Sequence, residues 1–163
     1  MKIKFAFPNE FNIIKDLAER IWPVTYGEII SSEQIDYMMG MMYSIETLNA
    51  NHEKGVEFLL VEEDGKYLGF SAFQHDFKEK GRSHVQKIYV LPEAQGKNIG
   101  RMLMHFMERQ SLEKGAQKMT LNVNRFNKAR HFYAKLGYEV VETVNIEIGN
   151  GYLMEDFVME KTL

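Results

Sequence analysis

Apolar residues recur with helical spacing at Phe11, Ile14, Leu17, Ala18 and Ile21, which predicts an amphipathic helix over about residues 10–20. Residues 2–7 before it alternate as a first strand. Pro23 is expected to end the helix, because proline has no N–H to donate and crowds the preceding turn. Ser32, followed by Glu33 and Gln34, reads as the N-cap of a second helix reaching about Met42. Ser44 repeats the signal for a short third helix, Thr47 to Lys54, closed by Gly55. After Gly55 the period falls to that of strands. Phe58 to Val61 and Tyr67 to Phe77 flank the turn pair Asp64–Gly65, and a second turn, Lys78–Gly81, leads to a strand from His84 to Leu91. Ile99, Met102, Leu103, Phe106 and Met107 form the next helical stripe, ended by Gly115. Met119, Leu121 and Val123 alternate as a half-buried strand. Asn127 then reads as the N-cap of a helix bearing Ala129, Phe132, Tyr133 and Leu136, stopped at Gly137. Tyr138 to Ile148 and Tyr152 to Lys161, joined by Gly149–Asn150–Gly151, predict a closing hairpin.

The order is strand, two or three helices, three antiparallel strands, helix, strand, helix, hairpin. It predicts an α/β fold with a single mixed, mostly antiparallel sheet flanked by helices. The strand–helix–strand stretch from 84 to 123 should make one right-handed crossover and one parallel pair. At 163 residues, with no repeat or linker, one domain over 1–163 is expected. Composition narrows the functional classes. A net charge of −3 leaves no basic excess for nucleic acid. No apolar run approaches membrane-spanning length, and the first residues lack the apolar core of a signal peptide, so a soluble cytoplasmic protein without a membrane partner is expected. The absence of cysteine excludes disulfides and thiolate metal sites, and no metal is expected.

The segment Lys87 to Arg101, KIYVLPEAQGKNIGR, carries the chemistry. A strand ends at Pro92, a loop with Gly96 and Gly100 follows, and a helix starts at Ile99. A helix start presents unpaired N–H groups and a partial positive charge, and glycines admit close approach, so the unit suits a phosphate. Taken alone, the glycines also suit an ordinary strand-to-helix turn. Lys97 is not followed by Ser or Thr, which excludes a P-loop, and the glycine spacing is not that of a dinucleotide fold.

Two motifs decide between these readings. Gln95-Gly96-Lys97-Asn98-Ile99-Gly100 resembles the Gln/Arg-x-x-Gly-x-Gly/Ala cofactor signature of the GCN5-related N-acetyltransferase (GNAT) superfamily, with Asn98 where glycine is usual. Asparagine is the residue after glycine that best tolerates left-handed backbone angles. Leu121, Val123, Asn127, Ala129, Phe132, Tyr133, Lys135, Gly137 and Tyr138 resemble the family's downstream signature, with the Asn-to-Ala spacing one residue short of the commonest form.

The resemblance implies an acyl-CoA N-acyltransferase fold and transfer of an acetyl group from acetyl-CoA to a primary amine in a ternary complex. It implies that backbone N–H groups from Gln95 to Arg101 hold the CoA pyrophosphate, with charge from Lys97 and Arg101. The strands before and after the helix would splay, and Ile88, Tyr89 and Val90 would meet the pantetheine arm. Asn127 would approach from the other side, and Arg125, Lys128 and Arg130 suit the 3′-phosphate or a merely solvated face. Tyr133 is implied as general acid to the departing sulfur. The base is open: the family often has a carboxylate where Gln86 and Lys87 stand, leaving His84 or an ordered water.

The segment Trp22 to Tyr43 is rich in aromatic residues and Met. It suits core packing, and in the family this region covers the acceptor groove. Trp22, Tyr26 and Tyr37 are therefore candidate acceptor contacts through cation–π interaction, with Glu28, Glu33 and Asp36 adding negative potential. The acceptor class stays open between a small polyamine-like molecule, an amino acid or drug amine, and a protein N-terminus or lysine; the polyamine-like amine is favoured, with a homodimer through the last two strands as a further expectation. A non-catalytic acyl-CoA sensor is the alternative, suggested by Asn98 and the missing carboxylate.

Overall fold

A computed structural model describes residues 1–163. Strands β1 (Lys2–Ala6), β2 (Val56–Glu63), β3 (Lys66–Gln74), β4 (Arg82–Val90), β5 (Lys118–Asn124), β6 (Glu139–Gly149) and β7 (Tyr152–Thr162) form one seven-stranded sheet in the order β1-β2-β3-β4-β5-β7-β6. The helices are α1 (Phe11–Tyr26), α2 (Ser32–Tyr43), α3 (Ile45–Glu53), α4 (Ile99–Glu113) and α5 (Ala129–Lys135). All pairings are antiparallel except β4 with β5, the parallel pair expected from the crossover.

Strand alternation assigns the helices to faces. Phe5 of β1 pairs with Leu59 and packs its ring on Phe106 of α4, at 5.8 Å between centroids. The next residue, Phe58, packs on Phe11 of α1 at 4.8 Å. Neighbours along a strand point to opposite faces, so α1 and α4 cover opposite sides of the sheet. Thirty-two buried residues form one contiguous core across it. No helix is long and apolar enough to cross a membrane.

Several boundaries shift from the sequence pattern, and two of the shifts have a clear physical cause. The helix α1 runs through Pro23 to Tyr26. Pro23 and Glu19 both lie on the exposed face, so the Glu19 carbonyl that loses its donor can be hydrated. Packing of Trp22 against Tyr26, 4.6 Å between ring centres, holds the last turn helical. The N-cap of α2 is Ser31 rather than Ser32: its hydroxyl accepts from the Gln34 N–H at 3.1 Å. Ser44 caps α3 as expected, accepting from the Thr47 N–H.

One irregularity matters for function. In β4, Lys87 pairs with Ala72 and Val85 with Phe73, so Gln86 is an extra residue, a bulge. It reverses the facing of every residue that follows it in the strand.

Candidate active site

The strands β4 and β5 are paired only from Arg82↔Lys118 to Val85↔Leu121. Beyond Val85 they part. The Leu91 N–H donates to the Leu68 oxygen at 2.9 Å. By strand alternation the backbone of Tyr89 also faces β3, whereas the N–H and C=O of Ile88 and Val90 face the gap. Tyr89 therefore has no main-chain groups free for a ligand. A cavity of about 950 Å³ fills the gap, from Tyr26 and Glu28 at the end of α1, past β4, to the start of α4 and the inner face of α5.

At the α4 end, Asn98 adopts φ 61° and Gly96 φ 91°. The asparagine at the unusual motif position thus holds the left-handed turn directly before the helix. No N–H from Gly96 to Arg101 finds an acceptor within the protein, which is the arrangement an anion needs. Gly100 answers a different constraint: a Cβ there would lie 3.2 Å from Cζ of Phe132, so this glycine lets α4 and α5 approach closely. Gln95 and Arg101 line the cavity. Lys97 does not, because its ammonium turns to Glu63 at 2.9 Å. Of the basic trio, Lys128 lines the cavity, whereas Arg125 is drawn to Asn145 and Glu155.

Asn127 lines the same space, and its Oδ1 accepts from the Ala129 N–H at 2.9 Å, starting α5. One turn on, Tyr133 is 7% exposed and its hydroxyl has no partner in the protein. Burial pushes that phenol well above its ordinary pKa.

The sequence model of the Acetyltransferase (GNAT) family matches residues 12–138. The chain belongs to that family. It is 28% identical over 152 residues to spermidine N(1)-acetyltransferase of Thermoplasma acidophilum, covering 90% of this chain and 87% of the relative. It is 31% identical over 100 residues, covering 61% and 66%, to the [ribosomal protein bS18]-alanine N-acetyltransferase of Haemophilus influenzae. Its fold superposes on PaiA N-acetyltransferase from Thermoplasma acidophilum, solved in complex with coenzyme A, with TM-score 0.81, 26% identity and full coverage of both chains. This chain is an acetyl-CoA-dependent N-acetyltransferase. The gap between β4 and β5, the unpaired N–H groups before α4 and the cavity joining them fit its thioester cosubstrate.

In this GNAT enzyme the acceptor side differs from the sequence expectation. Tyr26 lines the cavity, and its hydroxyl meets that of Tyr89 at 2.9 Å. Trp22 does not reach the cavity: it is 1% exposed and its Nε1–H donates to the Tyr43 hydroxyl at 3.2 Å. Tyr37 also stays outside it. Its hydroxyl donates to the Ile148 carbonyl at 2.7 Å and its ring packs on Tyr152, so it ties α2 to the β6–β7 hairpin. Glu28 lines the cavity, while Glu33 and Asp36 do not. His84 cannot serve as base from where it stands. It is outside the cavity, stacked on Phe77 at 4.4 Å, with Nδ1 2.7 Å from the Thr120 hydroxyl. Burial first, then Arg82 and Lys78, pull its pKa down to about 4.

Two groups escaped sequence reasoning. Asp156 of β7 is 4% exposed and lies 3.5 Å from the amide of the cavity residue Asn122, its pKa raised by burial. Lys87, 6% exposed, lines the cavity with its Nζ 5.2 Å from the centre of the Tyr43 ring. Neither carries a motif, and only the bulge at Gln86 reveals where Lys87 points.

Proposed function

We propose that this acetyltransferase moves the acetyl group directly from acetyl-CoA to the primary amine of a small, polyamine-like molecule, with both substrates bound together. One observation carries the reading: the Tyr133 hydroxyl, unpartnered in the protein, belongs to the wall of the cavity where β4 and β5 separate. The N–H groups from Gly96 to Arg101, at the positive end of α4, hold the diphosphate. Ile88 and Val90 offer their free main-chain groups to the pantetheine amides, as an added strand would. Tyr133 then gives its proton to the departing thiolate. Its raised pKa keeps that proton in place until negative charge develops on sulfur.

The acceptor enters from the Tyr26 end. Two phenol rings and Glu28 suit a cation there, and a relative aligned over nine-tenths of the chain is named for spermidine. The test is thiol release from acetyl-CoA with a panel of diamines, polyamines, amino acids and peptide N-termini. Fastest turnover with a diamine or polyamine is expected. Preference for peptide N-termini would overturn the acceptor class, and acetyl-CoA binding without release across the panel would favour a sensor.

A further inference from the structure

We propose that Lys87 is the proton acceptor of the reaction, its uncharged amine taking the proton from the incoming ammonium at the acceptor end of the cavity. The proposal rests on the transfer reading above and names the base which that reading leaves open.

The bulge places this side chain. Lys87 pairs with Ala72, and Ala72 pairs with Phe58, whose ring faces α1. Without the extra Gln86, alternation would send Lys87 to the α4 side, away from the acceptor end. With it, Lys87 joins Tyr89 and Tyr26 on the α1 side, in the stretch of β4 that has left β5.

Its surroundings favour the uncharged form. Lys87 makes no ion pair, and its ammonium nitrogen is recorded only over the face of the Tyr43 ring. A buried ammonium without a counter-ion is costly, and lysine relieves that cost by losing its proton. The Tyr43 ring of α2 faces its Nζ, Tyr26 of α1 and Tyr89 of its own strand line the same cavity, and burial keeps all three phenols protonated. His84, earlier on the strand, is held neutral. Glu28, in the turn after α1, lines the same cavity, Asp156 lies on β7, and neither contributes to the shift of Lys87. Burial alone brings its pKa down to about 8, in the range where a lysine works as a general base near neutrality.

The proton count closes. The acceptor ammonium gives one proton to Lys87, and the freed lone pair forms the C–N bond at the thioester carbonyl. As the C–S bond breaks, Tyr133 protonates the sulfur and regains a proton from the new amide nitrogen. Lys87 returns its proton to solvent, so each turnover yields one amide, one thiol and one proton.

The experiment compares Lys87→Met and Lys87→Arg with the native enzyme, using a diamine as probe. Both variants should lose about 10²–10⁴-fold in kcat/KM for the amine, while calorimetry finds acetyl-CoA affinity retained, which also reports folding. The native pH profile should carry an ascending limb near pH 8 that Lys87→Met lacks, and the Lys87 ¹³Cε shift of the native protein should titrate near the same pH. Activity retained in Lys87→Arg would show that charge alone matters and would overturn the proposal. So would an ascending limb surviving in Lys87→Met, or a ¹³Cε titration above pH 10. If the native enzyme releases thiol with no amine of any class, the parent reading falls and takes this one with it; release by native and Lys87→Arg alike removes only the base.

Discussion

The hydroxyls of Tyr26 and Tyr89 meet at 2.9 Å and tie the last turn of α1 to the stretch of β4 that has parted from β5. Both rings line the cavity, at the end where the proposed reading brings in the acceptor, and Trp22 supports them from behind, 4.6 Å from the Tyr26 ring and 5.7 Å from that of Tyr89. Tyr26→Phe leaves the Tyr89 hydroxyl without its partner. A net hydrogen bond is worth about 0.5–1.5 kcal/mol, so the amine KM should rise by about 2–10-fold with acetyl-CoA KM unchanged. Trp22→Phe should behave differently. It loses packing and the bond to Tyr43, and the cost should appear as about 1–3 kcal/mol of stability in urea unfolding, with amine KM unmoved.

Tyr133→Phe removes the only atom of that side chain able to protonate sulfur. The expected result is a fall in kcat of about 10²–10⁴-fold. Calorimetry should find acetyl-CoA bound as before, because the ring that packs on Phe132 and Tyr138 remains. An unchanged kcat would remove Tyr133 from the reaction.

Asn98 separates backbone geometry from side-chain chemistry. It sits at φ 61° and its side chain makes no cap bond. Asn98→Gly should therefore keep acetyl-CoA affinity. Asn98→Val places a β-branched residue in the left-handed region, at a cost of about 1–3 kcal/mol. It should lower both melting temperature and affinity, since the same turn aims the N–H groups at the diphosphate. Equal affinities for the Gly and Val variants would contradict the loop assignment.

Stability should depend on pH in two windows of the same sign. Burial holds the folded His84 at about 4 against an ordinary 6.5, so between these values the unfolded chain binds more protons and stability falls as pH drops. The full loss is at most about 3 kcal/mol, and His84→Gln should flatten it in urea unfolding from pH 4 to 7. Lys87 titrates at about 8 folded against 10.5, so its penalty is full below pH 8 and fades as pH rises towards 10.5. Lys87→Met should thus be more stable than native at pH 7, by at most about 3 kcal/mol, while being the less active protein.

Element order, the crossover and the α4 loop were legible because each rests on local chemistry. Period-two and period-3.6 spacing act over neighbouring residues, and serine caps, turn pairs and glycine stops act within a few positions. Asn98 could be expected in a left-handed turn for the same reason. Pro23 was misread because the packing of Trp22 on Tyr26, a tertiary contact, outweighs the local preference to stop.

What the linear chain determined by itself was the family and the left-handed turn before α4, since both reside in contiguous residues whose conformational preferences travel with them. Which aromatic rings border the cavity, and which titratable group waits inside it, depended on the sheet. One extra residue at Gln86 turns Lys87 towards α1, and the fit of α1 on β4 hides Trp22 while leaving Tyr26 on the cavity wall. Side-chain direction and desolvation are properties of packed neighbours distant in sequence, so only the folded arrangement could assign them.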